Sequence, residues 1–300
     1  MRAIFVADVH LQAQAPIARS AEPDWFEAMA RPLNEIRELK TRCNDAPILY
    51  AGDIFNQWNA SPEIINFAIE HLPRGYAIPG QHDLPNHNYD EIERSAYQTL
   101  VKAGVLWNMI PGLEGVSAGL FITGFPWGFP MTSTKPSKEA LKIAIAHQFV
   151  WCTNTGYPGA PKENLAGNLC KNITGYDAIV FGDNHKGFDA LVNKMRICNC
   201  GTLMRRKTDE RDYKPGVGLL HADGKVTRHY LDTSQDKFIQ ATEAEEAVEK
   251  ILDMTAFVSG LRDLEANDAL DFVVAVKRFL KDNKVAGRVA EIILEATRKS

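Results

Sequence analysis

Several things are scarce in this 300-residue chain, and each scarcity excludes something. No apolar run reaches the roughly 18 residues a membrane-spanning helix needs, so no membrane partner is expected. The opening run Met1 to Asp8 is apolar for too short a stretch to read as a signal peptide, and the expectation is a cytoplasmic protein. Cysteine is sparse and odd in number: Cys43, Cys152, Cys170, Cys198 and Cys200. That excludes a disulfide framework, and Cys198-x-Cys200 lacks the second Cys or His pair a zinc site requires. Excess charge is small, with 34 Lys and Arg against 38 Asp and Glu. No global field draws the chain to nucleic acid, so any such contact must come from a local basic patch. Internal repeats and low-complexity segments are also missing.

What is present is a layered pattern. Arg2 to Ala7 reads as a buried strand, and Pro23 to Leu39 as a helix with Phe26, Met29, Leu33 and Ile36 at helical spacing. Pro47 to Ala51 is a second strand, Pro62 to Leu72 a second helix and Gly75 to Pro79 a third strand. This alternation is the signature of an α/β fold. Leu120 to Gly124, Ile143 to Ala146 and Ala178 to Phe181 read as further strands. Met195 to Asn199, Val217 to Leu220 and Val226 to Tyr230 read as consecutive antiparallel strands, the last two joined by a turn at Asp223-Gly224. Two Gly- and Pro-rich stretches, Phe125 to Ser137 and Thr153 to Gly167, read either as substrate-shaping loops or as plain connections. From Lys237 the composition turns helical. Thr242 and Glu245 form a capping box, and Val285, Val289, Ile292, Ile293 and Ala296 form an apolar stripe. The division is therefore 1–236 as the catalytic domain and 237–300 as a helical module.

Five polar motifs stand where strands end: Asp8-Val9-His10, Gly52-Asp53-Ile54-Phe55-Asn56, Gly80-Gln81-His82-Asp83, Ala146-His147-Gln148 and Gly182-Asp183-Asn184-His185. Ligands of open α/β sheets bind outside the carboxyl ends of the strands, so the five converge if the strand reading holds. Carboxylates, imidazoles and an amide carbonyl suit hard or borderline divalent metals. Each motif alone is common: Asp-x-His arises by chance, Gly-Asp is usually a turn, and a lone histidine after a strand is usually core. The ordered set is what carries information. The motif glycines allow the backbone to approach closely.

The set resembles the calcineurin-like metallophosphoesterase superfamily over about residues 1–235. Gly52-Asp53-Ile54-Phe55 and the run Asn199-Cys200-Gly201-Thr202-Leu203-Met204-Arg205 are most similar to the SbcD-type DNA-repair nuclease branch. The resemblance implies two packed mixed β-sheets flanked by helices. It implies one metal held by Asp8, His10, Asp53 and His185, and a second held by Asp53, Gln81, His147 and Asp183. A hydroxide bridging the ions would attack phosphorus in line. His82 would protonate or stabilise the leaving oxygen and Asp83 would orient the His82 ring. Two ligands depart from the family pattern, Gln81 for Asn and Asp183 for His. Either the second site is kept with a harder preference, manganese above magnesium, iron or zinc, or it is weakened.

His87 and the cluster Arg205, Arg206, Lys207, Arg211 and Lys214 read either as DNA-backbone contacts or as a solvated face. In SbcD-type proteins C-terminal helices grip the coiled coil of an SbcC-type ATPase. The stripe of Val285 to Ala296 either serves that role or packs on its own domain; a homodimer is a separate expectation. The expectation is a DNA exo- or endonuclease. A phosphatase or small-molecule phosphodiesterase and a weakly catalytic DNA- or partner-binding scaffold are the alternatives.

Overall fold

The computed structural model describes residues 1–240. β1 (Ala3–Val6) is apolar and buried at all four positions. Side chains alternate along a strand. Ile4 and Val6 accordingly join one core with Met29, Leu33 and Ile36, while Ala3 and Phe5 join another with Ile143, Ile145 and Val180. Each such aliphatic side chain contributes about 1.5–3 kcal/mol on burial.

α1 (Trp25–Arg42) follows, capped by Asp24, whose carboxylate accepts the Glu27 N–H at 3.0 Å. β2 (Ile48–Tyr50), α2 (Pro62–His71), β3 (Gly75–Ala77), α3 (Ala96–Lys102) and β4 (Leu106–Asn108) complete the first parallel array. The chain then enters a second sheet through β5 (Glu114–Ser117), β6 (Leu120–Phe125) and β7 (Leu141–His147). α4 (Ala166–Leu169), β8 (Ala178–Gly182), β9 (Phe188–Val192) and β10 (Met195–Asn199) follow, and β11 (Gly216–Leu220) and β12 (Val226–Tyr230) return to the first. The first sheet runs β12-β11-β1-β2-β3-β4 and the second β5-β6-β7-β8-β10-β9. Both are mixed, as the resemblance implied. Phe5, Leu49, Ile143, Ile145 and Val180 fill the layer between them.

One expectation is corrected. Met195 to Asn199 is not the first of three consecutive antiparallel strands. It lies in the second sheet, parallel to β8 and antiparallel to β9, whereas β11 and β12 pair with each other in the first sheet. The segment between them, residues 200–215, crosses from sheet to sheet. The Asp223-Gly224 hairpin is as expected: Gly224 has φ +77° and its N–H donates to His221 O at 3.0 Å. The expected helical module falls outside the described residues beyond Gln240, and Lys237 and Phe238 are part of the compact unit Met1–Phe238. There the Lys237 N–H donates to Glu22 Oε1 at 2.8 Å, and the Phe238 ring lies under the guanidinium groups of Arg19, Arg205 and Arg211. Among the described residues no helix is long and apolar enough to cross a membrane.

Candidate metal centre

The parallel register brings the motifs to one end of the molecule. Val6 pairs with Tyr50 and His147 with Gly182, so Asp8 and Asp53 leave one sheet beside His147 and Asp183 from the other. Four of these ligand positions carry a left-handed backbone: Asp8 (φ 49°), His10 (φ 50°), Asp53 (φ 53°) and Asp183 (φ 81°). Non-glycine residues adopt that region at a cost, and it clusters at functional sites. Neighbouring glycines make room. A Cβ at Gly80 would come within 2.1 Å of Asp53 Oδ1, and one at Gly52 within 2.2 Å of His147 Nδ1.

Three donor sets converge: Asp8, His10 and His185; His10, Asp53 and His82; Asp8, Asp53 and His147. Within each, the donor atoms lie within 4.8 Å of one another. Asp53 Oδ2 stands 3.7 Å from His10 Nε2 and 3.5 Å from His147 Nε2, so one carboxylate oxygen faces both histidines. His10 Nε2 and His185 Nε2 are 3.1 Å apart. Asp8 Oδ2, His10 Nδ1, Asp53 Oδ2, Gln81 Oε1 and His147 Nε2 are all buried without a hydrogen-bond partner. Buried polar atoms in proteins are normally satisfied, so Asp8 Oδ2, Asp53 Oδ2, Gln81 Oε1 and His147 Nε2 fit divalent cations as the missing partners, while His10 turns Nε2 rather than Nδ1 toward Asp53 and His185.

The outer contacts fix the rings for ligation. His147 Nδ1 lies 2.6 Å from Ala51 O. A carbonyl only accepts, so Nδ1 carries the proton and Nε2 presents its lone pair to the centre. The Asp183 N–H donates to Asp8 Oδ1 at 2.9 Å. Leu203 N–H donates to Asp8 O and Thr202 N–H donates to His185 O, so the Asn199–Arg205 turn buttresses two candidate ligands.

Charge follows from the same geometry. Burial pushes the Asp8 carboxyl well up. Burial would raise Asp53 too, but the adjoining His147, His10 and His82 outweigh it and hold Asp53 well below the carboxylate range. Burial would lower His147, but Asp53, Asp8 and Asp183 push it up to about 10. Burial and the Arg206 charge hold His10 well below its ordinary value, and burial, Arg206 and Lys207 hold His185 down at about 4.

Two expected roles are corrected. Asp83 does not orient the His82 ring. Its buried carboxylate accepts the N–H groups of Ile54, Phe55 and Gly80 at 3.1, 2.9 and 3.0 Å, which locks the second and third motifs together. The ring is held instead by the Asn56 carbonyl, 2.9 Å from His82 Nδ1. Arg205 is not a free cation for DNA. It donates to Asp236 Oδ2 and Thr233 O at 2.9 and 2.8 Å and stacks on Phe238. Arg206 is the one that reaches the centre, with Nη1 2.8 Å from Asn56 Oδ1 and a buried Nε that meets no acceptor in the protein. Lys207 is exposed beside it, and His87 is exposed on the opposite loop with Nδ1 3.0 Å from Gln81 O.

Asn56 is the functional residue that sequence reasoning passed over. It stood inside a quoted motif, but nothing local announces that its carbonyl and its side-chain oxygen serve two different residues. Of the two loops, Phe125 to Ser137 sends Trp127 edge-on to the His147 ring at 6.4 Å between centroids. Thr153 to Gly167 is tied to the fifth motif by Asn184, which donates to Val150 O and Thr155 O. Cys198 and Cys200 are buried free thiols, and Cys200 Sγ donates to Phe5 O.

The profile of the family described as calcineurin-like phosphoesterase matches residues 1–187. No curated protein matches the chain. Among solved structures, the calcineurin-like phosphoesterase YfkN from Bacillus subtilis is similar at 12% identity and TM-score 0.47, over 83% of this chain and 95% of that one. A novel archaeal phosphodiesterase is similar at 12% identity and TM-score 0.41, over 77% of this chain and 100% of that one. A putative 5'-nucleotidase from Staphylococcus aureus is similar at 12% identity and TM-score 0.46, over 84% of this chain and 58% of that one.

Proposed function

The chain belongs to the calcineurin-like phosphoesterase family, and from this premise we propose that its metal-dependent centre cleaves phosphodiesters, with DNA as substrate, as an SbcD-type nuclease does. The observation that carries the reading is the shared Asp53 with orphaned donors on both sides and Arg206 alongside. Asp8, His10, Asp53 and His185 would hold one divalent ion, and Asp53, His147, Asp183 and Gln81 a second. Bound ions supply Lewis-acid polarisation of the phosphoryl group and activation of water.

The protein's own side chains do the rest. With His82 Nδ1–H committed to the Asn56 carbonyl, the ring can take or release a proton only at Nε2. It sits edge-on to His10 at 5.1 Å between centroids, beside the first donor set, where it serves a leaving oxygen. Arg206, clamped by Asn56, brings a guanidinium charge to the site for a phosphate oxygen. Lys207 and His87 flank the site as contacts to neighbouring phosphates. The carboxylate of Asp183 and the amide oxygen of Gln81 make the second set oxygen-rich, which favours manganese over zinc.

The test uses linear duplex DNA, single-stranded DNA and bis-p-nitrophenyl phosphate, each with manganese, magnesium or zinc. Wild type is compared with His82→Ala and Asp53→Ala. Degradation of DNA lost in both variants supports the nuclease. Hydrolysis of the small ester without any DNA cleavage moves the assignment to a small-molecule phosphodiesterase.

A further inference from the structure

Immediately past the metal ligands lies a cleft of about 540 Å³ between two loops. One loop continues from His10 and the other from the Asp53 motif. They are held to each other by backbone pairing, Leu11 N–H to Ile54 O at 2.9 Å and Asn56 N–H to Leu11 O at 3.0 Å. The outer walls are anchored as well. Trp25 Nε1 donates to Gln12 O at 2.9 Å, and the Ala96 N–H donates to Trp58 O at 2.7 Å. The cleft is therefore preformed by the scaffold.

Its lining has an unusual chemistry. Five primary amides surround it: Gln12 and Gln14 from one loop, Asn56, Gln57 and Asn59 from the other. Leu11, Ile17 and Ile64 contribute apolar surface. No Asp, Glu, Lys or Arg lines it among the described residues, although Arg206 stands at its edge through Asn56. A phosphate or a carboxylate would find no counter-charge here. An uncharged planar group with donors and acceptors on its edge and apolar faces fits both halves of the lining, and the volume lies within the 300–1,000 Å³ typical of small-molecule sites.

We infer that this cleft is a nucleoside subsite, which holds the base of the nucleotide next to the scissile phosphate through the amides of Gln12, Gln57 and Asn59. The inference rests on the phosphodiesterase reading and names what that reading leaves open, the element that selects the substrate. The Asn56 residue joins the two regions: its carbonyl holds His82, its side-chain oxygen holds Arg206, and it lines the cleft. A base seated there lies one residue away from the groups that act on its phosphate.

The test separates binding from catalysis. The full-length protein, stripped of metal with chelator, is titrated with adenosine, guanosine, cytidine and thymidine, and separately with ribose and inorganic phosphate. Saturation-transfer NMR or calorimetry reads the binding. At least one nucleoside binds, while ribose and phosphate bind no better than to a control protein. Gln57→Ala and Asn59→Ala, both at exposed positions, weaken that nucleoside about tenfold, the effect of a lost hydrogen bond or two. Ser61→Trp, at a helix N-cap with no side-chain capping bond, fills the cleft and abolishes binding. Hydrolysis of bis-p-nitrophenyl phosphate by the metal-loaded wild type is measured on the same preparation. If the ester is hydrolysed but no nucleoside binds, or if all three variants bind as wild type does, the subsite is overturned and the phosphodiesterase stands. If nucleosides bind but no diester is cleaved, the subsite stands and the catalytic reading falls.

Discussion

The side-chain amide of Gln81 donates to Asp183 Oδ1 at 2.6 Å. These are the two expected ligands that depart from the family pattern, and they touch. The longer amide reaches a carboxylate where the pattern has a shorter amide and an imidazole. Gln81 Oε1 is left buried without a hydrogen-bond partner.

Gln81→Asn is expected to shorten the reach and Asp183→His to remove the acceptor. Each single change lowers affinity for the second metal equivalent by about 10–100-fold. Gln81→Asn with Asp183→His recovers part of that loss, because residues in contact do not act additively. Calorimetric metal titration of the three variants checks this, and strict additivity would count against a coupled pair.

Proton linkage gives a second expectation. His147 titrates at about 10 in the metal-free protein and near 6.5 in an unfolded chain. A raised histidine contributes stability that is fully present below about pH 6.5 and is lost as pH rises through about 10. In chelator, the unfolding free energy should fall between those limits, and His147→Gln should flatten the slope. A metal must displace the same proton from Nε2, so its affinity for the His147 set should rise with pH across that window. Urea melts at several pH values, and calorimetry in buffers of different ionisation enthalpy, measure the two effects.

Asp83 should behave as a structural clasp. Asp83→Ala leaves three buried N–H groups, of Ile54, Phe55 and Gly80, without their acceptor. The expected loss is about 3 kcal/mol or more, from three unsatisfied donors that each cost about 1–3. Hydrolysis should fall as well, since Gly80 and Ile54 carry the loops of His82 and Asp53. Denaturant unfolding of the metal-free variant is the readout. A variant of wild-type stability with a defect confined to catalysis would return Asp83 to the role of a ring-orienting residue.

The neighbours Arg205 and Arg206 should separate cleanly. Arg205→Ala removes the contacts to Asp236 and Thr233 and should lower stability by about 1–3 kcal/mol. Arg206→Ala should leave melting nearly unchanged and reduce kcat/KM on DNA by about 10–100-fold, the loss of one charge-assisted contact to phosphate. Lys207→Ala should weaken DNA binding evenly across sequences and lower the salt slope by about 1. Thermal melts alongside salt-dependent binding distinguish the three.

The sequence by itself determined the kinds of candidate ligand, their order along the chain and their position at strand ends. Buried strands such as Ala3–Val6 and Ala178–Gly182 are continuous apolar runs, and a polar motif that closes such a run is a local signal. Three of the four edge strands carry no such signal. β4, β5 and β9 are short and half-exposed, with Trp107, Val116 and Leu191 facing solvent, so they pass for loops. Sheet membership is non-local as well. Met195–Asn199 and Gly216–Leu220 look alike in sequence, and only the packing of Ile197 and Val217 into different cores assigns them to different sheets. The tertiary structure alone decided which of two adjacent arginines is a strut and which reaches Asn56 beside the candidate centre. It also decided that Asn56, not Asp83, holds His82, and that Gln81 meets Asp183 across 102 positions of chain. Residue type sets what a side chain can do, but burial and partner, which depend on distant segments, set what it does.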